Sequence, residues 1–349
     1  MDTQTIIRTF NHSIFLKEGA FVRWKGVWYV FQGPFEAVEN ENRQVFSIAC
    51  QDFYGHRRQV WRSPSPLILS SEAWKEALKS ESPSCSFTWS GPSRELYSKS
   101  FEKVQKEIQE GNWQKAVPIA FTRASGSFSP QQIRGLLYHL AEADESLIPY
   151  GYWKDGVGVM GLTPEILFYR RDLELHSMAL AGTEKKKGEC HLLQDPKNLK
   201  EHNLVAQEVK NKLKNWGEPQ MEGPQVLELP TLYHLLTQFR VQLESPWNDI
   251  ESLQYFHPTS ALGVSPHTRW KEMESLPEQK DRGFFGSPLL FKLSDEESLA
   301  LVALRQIQWN QNEIMIGAGG GVVQESQEEL EWEEILAKMD SVKKLMGIL

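Results

Sequence analysis

Cysteine is scarce in this sequence, which contains only Cys50, Cys85 and Cys190, and no two of them form a CxxC pair. Zinc clusters and the disulfide frameworks of small secreted proteins need closely spaced cysteines, so neither kind of site is indicated. Scattered cysteines are typical of proteins kept in a reducing compartment.

Long apolar runs are also missing, since no stretch of 18 consecutive apolar residues occurs in the chain. A helix needs about that length to cross a bilayer, so no membrane association is expected. The first residues, MDTQTIIRTFNHS, have neither the basic region nor the apolar region of a secretory signal peptide. A cytoplasmic location is therefore expected.

Positive charge is in deficit, because 38 Lys and Arg residues stand against 46 Asp and Glu residues, a formal net charge of −8. Proteins that bind nucleic acids displace counterions with an excess of basic residues. No nucleic-acid partner is expected for this chain.

The 349 residues, 40% of them hydrophobic, are enough for one large domain or two ordinary ones, and no repeat or linker divides them. Short aromatic and β-branched runs predict strands, such as "QVFSIACQDF" and the hairpin "FVRWKGVWYVFQG" with its turn near Lys25 and Gly26. Helical spacing predicts helices over about 198–215 and 231–241. Many strands with short turns, and helices in clusters, favour an α+β fold with mostly antiparallel sheet.

Five small residues in succession, 317–321, precede a run of carboxylates near the end of the sequence. A dinucleotide-binding loop requires a strand, glycines and an immediate helix inside a βαβ unit. Here "SLALVALRQIQW" and "EIMIGAGGGVV" predict two strands joined by a turn at 310–312, and a capping box at 326–329 predicts a helix that starts only at Ser326. A nucleotide-binding loop is therefore not indicated.

Two predicted helices each present polar pairs on one face. Glu331, Glu334 and Lys338 are spaced by three and four residues, and in "KNLKEHNLV" (residues 197–205) Glu201 follows Asn198 by three. Such spacing fits a solvated helix face with Glu–Lys pairs. It also fits a set of oxygen ligands for a hard cation, and composition alone leaves both readings open.

Eight segments in this order resemble the chorismate-utilising enzymes: "GLTPEILF", "ALAGT", "KEHNLV", "YHLLT", "HPTSALG", "LVALR", "AGGGVVQES" and "EWEEILAK". The resemblance covers about residues 92–347. It implies a single large α+β domain with two face-to-face, mostly antiparallel β-sheets and helices outside. Residues 1–90 would be a variable, β-rich N-terminal part of the same domain, and residues 91–349 the chorismate-binding catalytic region.

Within that superfamily, two positions resemble isochorismate synthases and not the enzymes that use ammonia. Lys115 stands where isochorismate and salicylate synthases carry a lysine, and Ala181 stands where aminodeoxychorismate synthases often carry a nucleophilic lysine. The resemblance implies isomerisation of chorismate to isochorismate, with Lys115 as base toward water and Glu165 as acid toward the departing hydroxyl. Alternatives are a salicylate synthase, an anthranilate synthase-like enzyme, or a non-catalytic relative that binds chorismate.

The resemblance also implies Mg²⁺ as cofactor, with Glu201 and Glu334 as direct ligands and Asn198 and Glu331 acting through water. No glutamine amidotransferase subunit is expected, and the chain is expected to be a monomer. The pathway downstream, whether menaquinone or siderophore biosynthesis, is left open. The implied substrate contacts are Leu180, Gly182, Thr183, His234, Thr259, Phe285, Arg305, Gly319, Gly321 and Lys338.

Three segments depart from the family pattern. Asn198 stands where the family usually has an acidic residue. The usual PTPAVGG reads PTSALGV at residues 258–264, and the usual RGxYxG reads RGFFGS at residues 282–287, which places Phe285 where a tyrosine is common.

Overall fold

The computed structural model of the chain describes residues 10–38, 47–79, 86–186 and 188–348. The first nine residues, on which the signal-peptide expectation rests, lie outside these ranges, as do Cys85 and residues 44–46 of the predicted strand "QVFSIACQDF". Cys50 and Cys190 are free thiols. In the ranges that are described, no helix has both the length and the apolar character needed to span a membrane.

The helices and strands found in these ranges are the following. The α-helices are α1 (His12–Lys17), α2 (Ser71–Leu78), α3 (Arg94–Gln109), α4 (Pro130–Ala141), α5 (Pro196–Leu213), α6 (Asp249–Phe256) and α7 (Glu328–Met346). The strands are β1 (Gly19–Trp24), β2 (Val27–Gln32), β3 (Glu36–Ala37), β4 (Ile48–Gln51), β5 (Arg58–Arg62), β6 (Leu67–Leu69), β7 (Lys115–Ala116), β8 (Ile119–Ser125), β9 (Ile148–Lys154), β10 (Val157–Thr163), β11 (Ile166–Arg171), β12 (Glu174–Lys185), β13 (Gln220–Glu228), β14 (Leu232–Gln242), β15 (Val264–Ser265), β16 (Pro288–Lys292), β17 (Glu297–Val302), β18 (Gln306–Trp309) and β19 (Glu313–Gly319).

Two large antiparallel sheets form the body of the fold. The first has the strand order β6-β2-β1-β9-β10-β18-β19-β8, and the second has the order β13-β14-β12-β11-β17-β16-β4-β5-β3. The sheets pack face to face, as shown by Phe31 of β2 and Phe291 of β16, whose ring centroids lie 5.8 Å apart in a shared core. Helices α1–α4 and α7 cover the outer face of the first sheet, and α5 and α6 cover that of the second. The predicted α+β architecture is confirmed.

The described residues of the N-terminal part contribute strands to both sheets, because β1 pairs with β9 and β4 pairs with β16. The predicted hairpin is β1–β2, and its turn residues Lys25 and Gly26 have φ of +50° and +81°. Two successive residues with positive φ give the turn that suits the twist of a two-residue hairpin.

The segment 231–241, predicted to be a helix, forms strand β14, so that prediction was wrong. Residues 234–237 of β14 are all buried, whereas Gln238, Arg240 and Gln242 are exposed and alternate with buried neighbours. A short apolar run that is buried on more than one side has no strict two-residue period, so spacing alone does not separate strand from helix. The misleading helical spacing comes from four buried residues, Leu232, Leu235, Leu236 and Phe239.

The chain crosses between the two sheets at two neighbouring places. Pro164 and Glu165 link β10 to β11, and residues 303–305 link β17 to β18. The predicted continuous strand "SLALVALRQIQW" is therefore interrupted, and Arg305 has φ of +45° and is not in mid-strand. Because β10 pairs with β18 and β11 pairs with β17, the two crossings lie side by side, and the Val302 N–H donates to the Glu165 carbonyl (3.2 Å).

Helix α7 begins two residues later than predicted, at Glu328, with Gln327 preceding it. The Ser326 hydroxyl does not cap the helix; it accepts the N–H of Val323 (3.2 Å) and so tightens the preceding turn. The predicted capping box was therefore wrong.

Candidate active site

A cavity of about 100 Å³ opens beside the two crossings, between the ends of the central strands and helices α5 and α7. Four of the residues predicted for the site, Lys115, Asn198, Thr259 and Glu331, pack behind its lining and are buried. The structure brings twelve further predicted residues to the cavity wall: Glu165, Leu180, Gly182, Thr183, Glu201, His234, Phe285, Arg305, Gly319, Gly321, Glu334 and Lys338.

Lys115 is fully buried on the short strand β7. Its Nζ donates to the carbonyls of Ser260 (2.5 Å) and Ala261 (3.2 Å) and lies 3.5 Å from Glu201 Oε1. Burial lowers the pKa of this lysine, and the carboxylate of Glu201 opposes the shift. Ala261 and Glu201 both line the cavity, so Nζ directly contacts two residues of its wall.

Glu165 is buried at the first crossing, where Pro164 interrupts the strand ladder. Removal of the carboxylate from water raises the pKa of Glu165 to about 8, although the nearby Lys115 opposes the shift. A carboxyl with this pKa holds its proton at neutral pH and can donate it.

Arg305 and His234 form a pair on the opposite wall. His234 Nε2 accepts from Arg305 Nη2 (3.1 Å), so the ring proton is on Nδ1, which faces the Gly182 carbonyl (3.3 Å) and the Thr183 hydroxyl (3.1 Å). Burial, then the charges of Arg305 and Lys338, hold the pKa of His234 well below its usual value, so the ring is neutral.

Arg305 Nη1 is buried without a hydrogen-bond partner among the residues that the structure describes. Burial lowers the pKa of this guanidinium to about 10. A buried cation without a carboxylate partner is costly, and a planar anion such as a ligand carboxylate would satisfy it through two parallel hydrogen bonds.

Three carboxylates, Glu201, Glu331 and Glu334, approach the cavity from helices α5 and α7. Lys197 Nζ binds Glu331 Oε1 (2.5 Å), and Lys338 Nζ binds Glu334 Oε1 (2.6 Å). Burial, and then the charge of Glu334, raises the pKa of Glu331. Within the described ranges, no three His, Cys, Asp or Glu side chains are close enough together to hold a metal ion. The donor set itself consists of carboxylate oxygens, which are the ligands that Mg²⁺ prefers.

One family model, that of the chorismate binding enzyme, matches residues 19–344. The chain belongs to the chorismate-binding enzymes. Its sequence is similar to an isochorismate synthase of Escherichia coli K12, with 28% identity over 204 residues, which are 56% of this chain and 52% of that protein. An isochorismate synthase of Haemophilus influenzae is 34% identical over 188 residues, 51% of this chain and 44% of that one. The chain thus spans about half the length of these curated relatives.

A solved structure, the menaquinone-specific isochorismate synthase of Escherichia coli, superposes with a TM-score of 0.78. It covers 97% of this chain and 92% of its own at 20% identity. At this identity the likeness establishes the fold of a chorismate-binding enzyme, and the chemistry must be argued from the site.

The glycines at the cavity wall make room for neighbouring side chains of the protein itself. A Cβ on Gly321 would lie 2.0 Å from Glu201 Oε1 and 2.7 Å from Lys115 Cε. A Cβ on Gly319 would meet Val117 Cγ1 at 3.0 Å. The close approach of Glu201 and Lys115 therefore requires glycine at 321 whether or not a ligand is bound.

Asn198, expected near the metal, uses both ends of its amide within the protein. Its Oδ1 accepts the Thr183 N–H (3.1 Å) and its Nδ2 donates to Asp195 Oδ2 (2.8 Å). Thr259, expected to contact substrate, shapes the turn behind the wall, because its carbonyl accepts the N–H groups of Leu262 (3.1 Å) and Gly263 (2.8 Å). Both ligand contacts remain predictions.

Arg282 is a site residue that sequence reasoning missed. It is fully buried and donates from Nε to the Phe285 carbonyl (2.9 Å) and from Nη2 to the Leu262 carbonyl (3.0 Å), so it joins two parts of the cavity wall. The only signal was its place in the RGFFGS segment. Apolar wall residues, which carry no polar signal, were also missed: Val117, Pro164, Ala261, Leu262 and Leu304.

Proposed function

We propose that this chain is a magnesium-dependent isochorismate synthase in which Lys115 is the general base and Glu165 the general acid. One observation carries the proposal: a buried lysine and a buried glutamate at one cavity have pKa values shifted toward the forms that the reaction needs. Lowering the pKa of a lysine favours its neutral amine, and a glutamate with a pKa of about 8 supplies a proton.

The reaction balances with these two groups. Water adds at C2 of chorismate while its proton passes to the neutral Lys115 Nζ. The ring double bonds shift, and the C4 hydroxyl departs as water with the proton of Glu165. The alanine at 181 leaves no amine there to attack the ring in place of water.

Nη1 of Arg305, which has no partner among the described residues, supports binding of the enolpyruvyl carboxylate, together with the N–H groups of Gly319 and Gly321. Lys338, whose Nζ also donates to the Gly319 carbonyl (2.8 Å), would hold the ring carboxylate. Leu180, Gly182, Thr183 and Phe285 would surround the ring, with His234 beside Arg305 and Thr259 behind them.

Glu201 and Glu334 would bind Mg²⁺ directly, with Glu331 and Asn198 acting through water. Mg²⁺ commonly keeps several waters, so a small set of carboxylates from two helices is sufficient. The ion would neutralise the ring carboxylate of the substrate. Because Lys197 and Lys338 now neutralise Glu331 and Glu334, metal binding would replace part of these ion pairs.

Water as the nucleophile requires no ammonia, so no glutamine amidotransferase subunit is proposed as a partner. A monomer in the cytoplasm is the simplest arrangement for such an enzyme. Whether its product enters menaquinone or siderophore biosynthesis depends on the enzymes that consume isochorismate.

The purified protein, incubated with chorismate and Mg²⁺, is expected to form isochorismate as the only product, resolved by chromatography. Chelation should stop turnover and added Mg²⁺ should restore it. Salicylate with pyruvate would indicate a synthase that also eliminates, and anthranilate formed with ammonium would contradict the role of Lys115. Chorismate binding without turnover, measured by calorimetry, would indicate the non-catalytic relative.

The rate is expected to fall as pH rises through about 8, because Glu165 acts while protonated and its pKa is about 8. The substrate carboxylates titrate near pH 4 and contribute nothing in this range. The measurement is kcat/KM from pH 6 to 9.5, with circular dichroism showing an intact fold throughout. A profile that stays flat across this range would contradict the role of Glu165.

A further inference from the structure

Glu208 and Lys212 form an ion pair on helix α5, seven residues beyond Glu201, with 3.0 Å between Nζ and Oε1. Both side chains are largely withdrawn from solvent, at 14% and 10% exposure. Nothing in the proposed reaction uses them. A pair at this depth loses more hydration than an exposed pair does, so stabilisation of the helix is a poor explanation for it.

The pair is bonded to the main chain that follows helix α6. Lys212 Nζ donates to the carbonyls of Phe256 (2.9 Å) and Pro258 (3.1 Å). Glu208 Oε2 accepts the N–H of Ser260 (3.0 Å). Two side chains one helical turn apart thus hold three backbone groups within five residues.

The same stretch of main chain holds Lys115. The carbonyls of Ser260 and Ala261 accept from Lys115 Nζ, at 2.5 and 3.2 Å. Ser260 therefore links the two side chains: its N–H donates to Glu208, and its carbonyl accepts from Lys115. A shift of this segment would move the two carbonyls that orient the Lys115 amine.

We propose that the Glu208–Lys212 pair positions Lys115 for catalysis by fixing residues 256–261. This inference rests on the proposed function, in which Lys115 is the base. Glu208 and Lys212 are positioning residues, because neither reaches the cavity wall.

This arrangement depends on a departure of the sequence from the family pattern. Residues 258–260 read Pro-Thr-Ser where the pattern reads Pro-Thr-Pro. Proline has no N–H, so the backbone hydrogen bond from position 260 to Glu208 requires a residue other than proline there, which Ser260 is. This chain therefore fixes the loop with a hydrogen bond that a proline at position 260 could not make.

The test compares Glu208→Ala and Lys212→Met with the wild-type enzyme in kcat and KM for chorismate. We expect each variant to lower kcat by about 10- to 100-fold with little change in KM, because a base displaced by about 1 Å reacts poorly while the binding groups stay in place. The double variant should lose no more than either single one, since both act through one loop. Lys212→Arg, which keeps donors for the two carbonyls, should recover most of the loss.

Gln207→Ala is the matched control. Gln207 and Asn211 form an exposed side-chain hydrogen bond (3.0 Å) at the same spacing on the same helix, one residue earlier. This variant should keep the wild-type kcat. The inference is overturned if Glu208→Ala, once shown to be folded, also keeps it, or if kcat, KM and thermal stability change together in every variant.

A second readout does not depend on turnover. Lys115 is fully buried and should resist reductive methylation in the folded wild-type protein, as mapped by mass spectrometry. In Glu208→Ala it should become reactive, and in Gln207→Ala it should stay protected. Protection of Lys115 in Glu208→Ala would overturn the positioning role even if turnover of that variant falls, whereas an inactive wild-type protein would overturn the proposed function instead.

Discussion

Replacement of Lys115 with methionine is expected to lower kcat for chorismate by about 10²- to 10⁴-fold, the usual contribution of a general base. Within the described part of the chain, Lys115 is the only basic residue whose side-chain nitrogen contacts both Glu201 and the Ala261 carbonyl at the cavity wall. Methionine has a similar length and volume, so the surrounding packing should be kept. Steady-state kinetics at saturating chorismate and Mg²⁺ would measure the effect.

Lys99→Met provides the control for this substitution, because Lys99 is exposed and pairs with Glu95 on the same helix (2.6 Å). Cooperative thermal unfolding of Lys115→Met would show that the loss is chemical. If Lys115→Met turns over within a few-fold of wild type, Lys115 is not the base, and Glu201 becomes the candidate for activating water.

Replacement of Arg305 with methionine is expected to lower kcat/KM by about 30-fold or more, equivalent to about 2 kcal/mol, mainly through KM. The guanidinium is buried, its Nη1 has no partner among the described residues, and its other contact is a neutral histidine. The same substitution should leave the melting temperature unchanged or raise it, since it removes a buried cation that no carboxylate of the described residues compensates.

Weaker substrate binding together with an unchanged or higher melting temperature distinguishes a ligand-binding arginine from a structural one. Arg62→Met is the control, since Arg62 is exposed and pairs with Glu36 (2.6 Å) far from the cavity. If Arg305→Met destabilises the protein while KM stays unchanged, Arg305 serves the crossing between the sheets and does not bind the substrate carboxylate.

Local features of the fold were predictable where one physical rule decides the outcome. The Lys25–Gly26 turn follows from hairpin geometry, and the pairing of Glu334 with Lys338 follows from the spacing of four residues along a helix. The α+β class followed from the many short strands, and the sandwich of two sheets from the resemblance. The prediction failed at β14, because the continuous buried run at residues 234–237 hides the two-residue period that separates strand from helix.

The environment of Lys115 could not be predicted in the same way. Its acceptors are the main-chain carbonyls of Ser260 and Ala261, and no sequence pattern states which distant carbonyl will meet a given lysine. The same holds for Arg305, whose positive φ depends on where two sheets oblige the chain to turn. The types of residue in the site were thus readable from motifs, whereas their partners came from tertiary packing.

The side-by-side crossings also constrain how the protein reaches its working state. Glu165 enters the site from the first crossing and Arg305 from the second, and the strands that hold them belong to distant parts of the chain. Contacts between distant segments form slowly, because the intervening loop must close before they are gained. A nascent or truncated chain that lacks β17 and β18 would have Glu165 but no neighbouring crossing to bury it. Activity should therefore return only in the last phase of refolding, together with the completed sandwich.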